Sequence, residues 1–228
     1  MVRQAARAQE MAGERWVASP SGPPQTLGRS GEVKELDTPA ALSWRASQAS
    51  QRDIVAGMFF NSTLGEIARK VGPAAASRAS HLALGMAERD FEHFYRYPVA
   101  DLLRLMDVGA RMVGGDYATS LTDFGRAAMQ AFLDSPMGRT LLMLGGREPH
   151  RLLLTLASGN HGPASFGSRI YERTEERAAV ICYTSELLGP NWLTGAIEQA
   201  FRRVFSLHPV ISVSPGTAVG TFSLQIRW

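Results

Sequence analysis

Cysteine is nearly absent from this sequence of 228 residues, in which Cys182 is the single thiol. One thiol cannot form an internal disulfide or build a cysteine-rich zinc site, so both kinds of scaffold are excluded. A catalytic thiol needs a neighbouring base and an electropositive setting. Between Ile181 and Tyr183 we expect Cys182 to pack as a small hydrophobic residue. Low cysteine usage fits a reducing cytoplasm, which is the location we expect.

Long apolar runs are also missing. None reaches the roughly 18 residues of a membrane-spanning helix, and the first residues, "MVRQAARAQEMAGERWV", lack the apolar core of a secretory signal. Charge is nearly balanced, because 24 basic and 21 acidic residues give a formal net charge of +3. The arginines are scattered, whereas nucleic-acid binding needs a clustered basic face. We therefore expect no membrane span and no nucleic-acid partner.

Motifs of familiar catalytic and metal chemistry are missing as well. The histidines at 81, 93, 150, 161 and 208 show no H-E-x-x-H spacing, and "MVGGD" and "GGREPHR" do not form a nucleotide-binding loop. The polar run "ERDFEH" (88–93) is typical of a solvated helix face. No Ser-His-Asp arrangement or carboxylate pair can be placed from spacing alone. We predict no catalytic residue, no metal site and a non-enzymatic protein.

The chain does contain helical patterns followed by strand patterns. Residues 1–35 are rich in Pro, Gly and Ser and predict a flexible tail. Residues 36–160 predict a helical half, in which Asn61 or Ser62 would cap one helix and Ser120 or Thr122 another. Residues 163–228 predict a sheet half in the order β-β-α-β-β, with a turn near Thr174-Glu175-Glu176. Segregated helices and antiparallel strands predict a single α+β domain over residues 36–228.

Two stretches carry candidate ligand-binding residues. "FEHFYRYP" (91–98) contains Phe94 and Tyr97, and its aromatic side chains could form a pocket wall, a partner surface or ordinary core. In "YTSEL" (183–187), Tyr183 and Ser185 would share one face of a strand because side chains alternate. They could bind a polar group, or they could be the hydroxyls of an ordinary half-buried strand.

The order of several short motifs is informative as a set. "DFGRAAMQAFLDSPMGRTLLMLGG", two predicted strands, "GPNWLTGAIEQAF" and the final "GTFSLQIRW" occur in that order. With these motifs in this order, residues from about Asp53 to Trp228 resemble a myxobacterial paralogous family of unknown function. More distantly, it is similar to the haem-dependent nitric-oxide/oxygen-binding fold and to the four-vinyl-reductase domain. The resemblance implies a haem-sensor-like α+β fold.

The haem resemblance implies specific residue roles. His161 lies near the position of the haem-ligating histidine, and Tyr183 and Ser185 stand at the first two positions of the Y-x-S-x-R motif that holds the propionates. Leu187 occupies the arginine position. Leucine cannot supply the charged fork that binds carboxylates. The cysteine-rich stretch of the four-vinyl-reductase relatives is also missing.

Three functions follow as expectations. The first is a cytoplasmic module in signalling or regulation that senses a small apolar molecule or binds a protein partner, without a cofactor. The second is a structural, scaffolding or self-associating protein whose pocket is filled by its own side chains, such as a homo-oligomer. The third is a haem binder that uses His161. The candidate ligand-binding residues are Tyr183, Ser185, His161, Phe94 and Tyr97. A cavity beneath Tyr183 would favour sensing, and a solid interior would favour scaffolding.

Overall fold

The structure is a computed structural model that describes residues 36–86, 91–145, 148–158, 164–216 and 220–228. The predicted tail, residues 1–35, lies outside the described residues, as does His161. The described helices are α1 Pro39–Gln48, α2 Met58–Val71, α3 Pro73–Leu84, α4 Val99–Val113, α5 Tyr117–Asp134, α6 Pro136–Gly145, α7 Pro149–Ser158 and α8 Pro190–Phe205. None of these helices combines the length and hydrophobicity needed to cross a bilayer.

Two antiparallel sheets accompany these helices. The described strands are β1 Ile54–Ala56, β2 Arg96–Pro98, β3 Ser168–Glu175, β4 Ala178–Thr184, β5 Val210–Pro215 and β6 Phe222–Arg227. β1 pairs with β2, and the other four form a sheet in the order β3-β4-β6-β5. After residue 163 the order is β-β-α-β-β, so the predicted α+β fold is confirmed. The turn between β3 and β4 lies beside the predicted one.

The predicted caps of two helices are wrong. α2 begins at Met58, before Asn61 and Ser62, because the residues just before it are held by pairing of β1 with β2. The N–H of Met58 donates to the carbonyl of His93 at 3.1 Å. α5 is capped by Asp116, which accepts the N–H of Thr119 at 3.1 Å. The carboxylate of Asp116, directly before the helix and three residues before Thr119, therefore takes the capping role.

The helices α5 and α8 cross with their backbones in close contact. A Cβ built on Gly125 would lie 1.9 Å from the carbonyl oxygen of Trp192, and one built on Gly195 would lie 1.9 Å from the carbonyl oxygen of Thr122. Only hydrogen atoms fit at these two positions. The glycines of "FGR" and "PNWLTG" are thus explained by a reciprocal helix crossing, which sets the distance between the helical half and the sheet half.

The four-stranded sheet has an apolar inner face and a largely exposed outer face of polar and apolar side chains. Ile181, Tyr183 and Leu224 point inward and join the core. Cys182 points to the other side, as strand alternation predicts, but it is exposed. The expectation that Cys182 packs as a small hydrophobic residue is wrong, because no described element covers that face at this position. Partial desolvation by the neighbouring side chains and the charge of Glu172 raise the pKa of its thiol, so it is a weak nucleophile.

Asp37, which lies just before α1, forms a buried ion pair with Arg45 of α1 and also contacts the start of α8. The side chains of Asp37 and Arg45 are 0% and 5% exposed, and their Oδ1 and Nη2 atoms are 2.5 Å apart. The second carboxylate oxygen of Asp37 accepts the N–H of Asn191 at 2.7 Å. Asp37 therefore acts as the cap of α8, although it lies more than 150 positions away in sequence.

Candidate functional site

A small apolar cavity lies where α5, α6 and α7 meet α8 and the inner face of β4. Its volume is about 140 Å³. The lining side chains come from both halves of the chain and are mostly aliphatic or aromatic: Phe59, Met129, Phe132, Met137, Leu141, Thr155, Leu156, Ala164, Arg169, Tyr183, Leu188, Trp192, Leu193, Ala196 and Ile197. Met137 is 42% exposed, so the α6 side of the cavity reaches the surface.

Tyr183 forms the sheet side of this cavity. Its ring stacks on Phe222 with centroids 5.0 Å apart, and the guanidinium of Arg169 lies 5.9 Å from its centroid. Burial raises the pKa of the Tyr183 hydroxyl well above its ordinary value. The hydroxyl therefore stays protonated at any physiological pH and keeps its capacity to donate a hydrogen bond.

Arg169 is held by a buried carboxylate. Glu186 is fully buried, and its Oε2 accepts from Arg169 Nη2 at 3.1 Å and from Nε at 3.3 Å. Its Oε1 accepts the backbone N–H groups of Leu187 and Leu188 at 3.1 Å each. The pair brings no net charge to the cavity, and it fixes the turn that follows β4.

Neither Arg169 nor Glu186 was predicted as a site residue. A signal for Arg169 existed, since a hairpin turning near residue 176 pairs Arg169 with Tyr183, as the structure shows. Glu186 gave no such signal, because its role depends on how the chain turns after the strand ends.

Trp192, on α8, lines the helical side of the same cavity. Only 5% of it is exposed, and its ring meets Phe59 edge-on with centroids 5.3 Å apart. Its indole nitrogen is buried and has no hydrogen-bond partner among the described residues. An indole N–H can only donate, so an acceptor is missing at this point of the wall.

The other predicted site residues lie elsewhere. Ser185 is exposed, follows the end of β4, and has a positive φ of 55°, so it does not share the inward face of Tyr183. Phe94 is 51% exposed. Tyr97 is buried in an aromatic cluster with Phe60 and Phe91, and its hydroxyl accepts the N–H of Glu92 at 3.3 Å. Of the predicted residues that the structure describes, Tyr183 alone lines the cavity.

A second, polar groove of about 610 Å³ runs over α2, α5 and α8. Its carboxylates are already paired with its cations: Asp123 contacts Lys70 and Arg126, and Arg126 also contacts Glu198 at 2.6 Å. Burial works to raise the pKa of Asp123, but Lys70 and Arg126 outweigh it and lower that pKa. Because its carboxylates are satisfied internally, this groove is a weaker candidate than the apolar cavity.

The wall formed by α7 is anchored to the sheet by His150. Its Nε2 donates to the carbonyl of Glu176 at 2.8 Å, and its Nδ1 lies 2.6 Å from the hydroxyl oxygen of Tyr171. Trp228 packs on the same imidazole with ring centroids 4.7 Å apart. The terminal tryptophan of "GTFSLQIRW" thus helps to hold α7 against the hairpin of β3 and β4.

The fold is similar to that of solved H-NOX proteins. It is similar to the Fe(II) unliganded H-NOX protein from K. algicida, with 14% identity, a TM-score of 0.60, and coverage of 75% of this chain and 95% of that chain. It is also similar to the Fe(II)NO form of an H-NOX protein from S. oneidensis, with 13% identity, a TM-score of 0.58, and coverage of 75% and 98%. At these identities the likeness concerns the fold alone.

Membership of a sequence family is more specific. Residues 48–228 match the family described as "Protein of unknown function (DUF2378)", and the chain belongs to that family. The predicted resemblance to a family of unknown function and to the haem-sensor fold is therefore confirmed. No curated protein matches the chain. Among the described residues, no group of three or more His, Cys, Asp or Glu side chains could hold a metal ion.

The described interior does not fit a haem. Leu187, at the arginine position of the haem motif, is apolar and buried, and Arg169 is occupied by Glu186. The cavity of about 140 Å³ is smaller than the roughly 300 Å³ at the lower end of small-molecule pockets. His161 lies outside the described residues, so its role as an iron ligand stays a prediction. No chemistry at this cavity is assigned to haem.

Proposed function

We propose that this protein is a non-enzymatic cytoplasmic module that senses a small, largely apolar molecule in the cavity beside Tyr183. The observation that supports the proposal is the apolar cavity of about 140 Å³ at the junction of the helical half and the sheet half. An apolar cavity of about 150 Å³ engineered in another protein stays dry and binds benzene. The ligand is therefore expected to have the size of a single six-membered ring.

The position of the cavity suggests how ligand binding would change a surface that a partner protein recognises. Its walls include α6, whose Met137 and Met143 are 42% and 81% exposed, and α7, which His150 anchors to the hairpin. A ligand shifts a conformational equilibrium only by its difference in affinity for the two states. A molecule that bridges α6 to α8 would favour the state in which α6 is docked, and a signalling partner would recognise that surface.

The test is a cavity-filling substitution. Ala196 lines the cavity and is 3% exposed, so in Ala196→Leu the added carbons occupy the void. We expect benzene, at about 100 times its Kd, to raise the free energy of unfolding of the unchanged protein by about 2.7 kcal/mol. In Ala196→Leu this increase should disappear. Urea unfolding followed by circular dichroism, with and without benzene, measures both quantities.

The control is Ala74→Leu, which makes the same change at an exposed position of α3 and should keep the full response to benzene. If benzene stabilises neither the unchanged protein nor Ala74→Leu, the proposed function is wrong. If added hemin gives a Soret band that His161→Ala removes, the third expectation, haem binding, replaces it.

A second candidate function is self-association through α6 and α7. Met143 and Leu154 are 81% and 48% exposed there, and exposed apolar side chains favour a protein interface. This candidate predicts a mass near twice 24.8 kDa by size-exclusion chromatography with light scattering. Met143→Lys with Leu154→Lys should restore the monomer, whereas Leu82→Lys on α3, which is 58% exposed, should not. A monomeric unchanged protein would contradict this candidate.

A further inference from the structure

We infer that the ligand of the cavity is a compact, uncharged molecule that carries a hydrogen-bond acceptor, such as the carbonyl oxygen of a cyclic ketone. This inference rests on the proposed function and names the chemistry of its ligand. It starts from the indole N–H of Trp192, which is buried without a partner among the described residues in a side chain that lines the cavity.

An unpaired buried donor in a cavity wall favours an acceptor in the ligand. A buried N–H without a hydrogen bond loses its hydration and gains nothing in return, whereas an acceptor in the cavity restores the bond. A purely apolar ligand would leave Trp192 unpaired. The rest of the lining is mainly hydrocarbon, so the remainder of the ligand should be apolar.

Tyr183 offers a second donor, its hydroxyl, in a side chain that lines the same cavity. The side chain is 3% exposed. Because burial keeps its pKa raised, the hydroxyl remains a donor at physiological pH. Trp192 on α8 and Tyr183 on β4, whose side chains each carry a hydrogen-bond donor, therefore line the same cavity from the helical and the sheet side.

The charges around the cavity favour an uncharged ligand. Arg169 is the one lining side chain with a formal charge among the described residues, and Glu186 neutralises it. A carboxylate ligand would have to displace Glu186, which is fully buried and also accepts two backbone N–H groups. A cationic ligand would find no carboxylate among the lining side chains to compensate for its lost hydration. Both kinds of ion are therefore disfavoured.

The test compares two probes of equal shape. Cyclohexanone carries a carbonyl oxygen where methylenecyclohexane carries a CH₂ group. We expect the ratio of their affinities, cyclohexanone over methylenecyclohexane, to fall about tenfold in Trp192→Phe, which keeps an aromatic ring and removes the N–H. Tyr183→Phe should lower the ratio as well. Trp44→Phe, at a 42% exposed tryptophan of α1, is the matched control and should leave the ratio unchanged.

A measurement on the unchanged protein avoids dependence on the folding of a variant. In a ¹H–¹⁵N spectrum, the indole resonance of Trp192 should move downfield with cyclohexanone and not with methylenecyclohexane. If both probes bind but the ratio is the same in Trp192→Phe and Tyr183→Phe and the indole resonance does not distinguish them, the acceptor is refuted while the cavity proposal stands. If neither probe binds the unchanged protein, both proposals are overturned.

Discussion

Replacing Gly125 with alanine is expected to lower the free energy of unfolding by about 3–5 kcal/mol, at the upper end of single substitutions. The new Cβ would sit 1.9 Å from the carbonyl oxygen of Trp192 on α8. No rotamer relieves this contact, because both atoms belong to or branch directly from helix backbones. The helices must separate, and the side chains packed between them lose contact. Gly195→Ala meets the backbone of Thr122 at the same distance and should cost a similar amount.

The matched control is Gly65→Ala on α2, where a Cβ would meet nothing within 4 Å. Alanine in a helix interior is favoured over glycine by roughly 0.5–1 kcal/mol, so this variant should be slightly more stable than the unchanged protein. Urea midpoints measured by circular dichroism compare the three variants. The double variant of Gly125 and Gly195 should cost less than the sum, because the first substitution already separates the helices. Close packing at this crossing is refuted if Gly125→Ala is as stable as Gly65→Ala.

Sequence patterns were sufficient for the β-β-α-β-β order after residue 163, because local rules determine that order, but they did not predict α1 or the pairing of the short strands β1 and β2 within the helical half. Helical periodicity, Pro at helix starts and Gly at helix ends act within a few residues, and strand alternation alone places Tyr183 inward and Cys182 outward. The same rules could not show that Cys182 would be exposed. Exposure depends on whether another element covers that face of the sheet, and this is a property of the tertiary structure.

The candidate site shows more clearly what local sequence patterns could not predict. Tyr183 was predicted, but Ser185 was placed on the same face because the strand was assumed to continue, and it ends at Thr184. Trp192 was not predicted as a site residue. Its missing acceptor, and the 140 Å³ of space beside it, arise from the packing of several elements that are distant in sequence. No local pattern encodes such a cavity.

Replacing Arg45, a buried arginine that precedes the residues matched by the family, has the second large expected effect. Arg45→Met should lower the free energy of unfolding by about 3–5 kcal/mol, since it leaves the carboxylate of Asp37 buried without a counter-charge. Asp37 is 0% exposed in its side chain, and Arg45 Nη1 also donates to the carbonyl of Leu36 at 2.7 Å. Methionine keeps much of the volume of arginine, so the loss is mainly electrostatic. Urea unfolding again measures the change.

Two companion variants separate charge from packing. In Asp37→Asn with Arg45→Met both charges are gone, while the amide oxygen can still accept the N–H of Asn191, so part of the lost stability should return. Arg104→Met breaks an ion pair with Asp101 in which the side chains are 56% and 37% exposed. Solvent-exposed pairs of this kind contribute about 0–1 kcal/mol, so this variant should remain near the unchanged protein.

The same contact predicts the minimal folded unit. The family match begins at residue 48, whereas Asp37 and Arg45 precede it and provide the cap of α8. We therefore propose that residues 36–47 belong to the same folded domain as residues 48–228. A chain that begins at residue 48 should be less stable than the full chain, because the N–H of Asn191 loses Asp37 and the core loses Leu42, which is fully buried on α1. If this truncated chain unfolds at the same urea concentration as the full chain, the capping role of Asp37 is disproved, since the only described acceptor for the N–H of Asn191 would have been removed without effect.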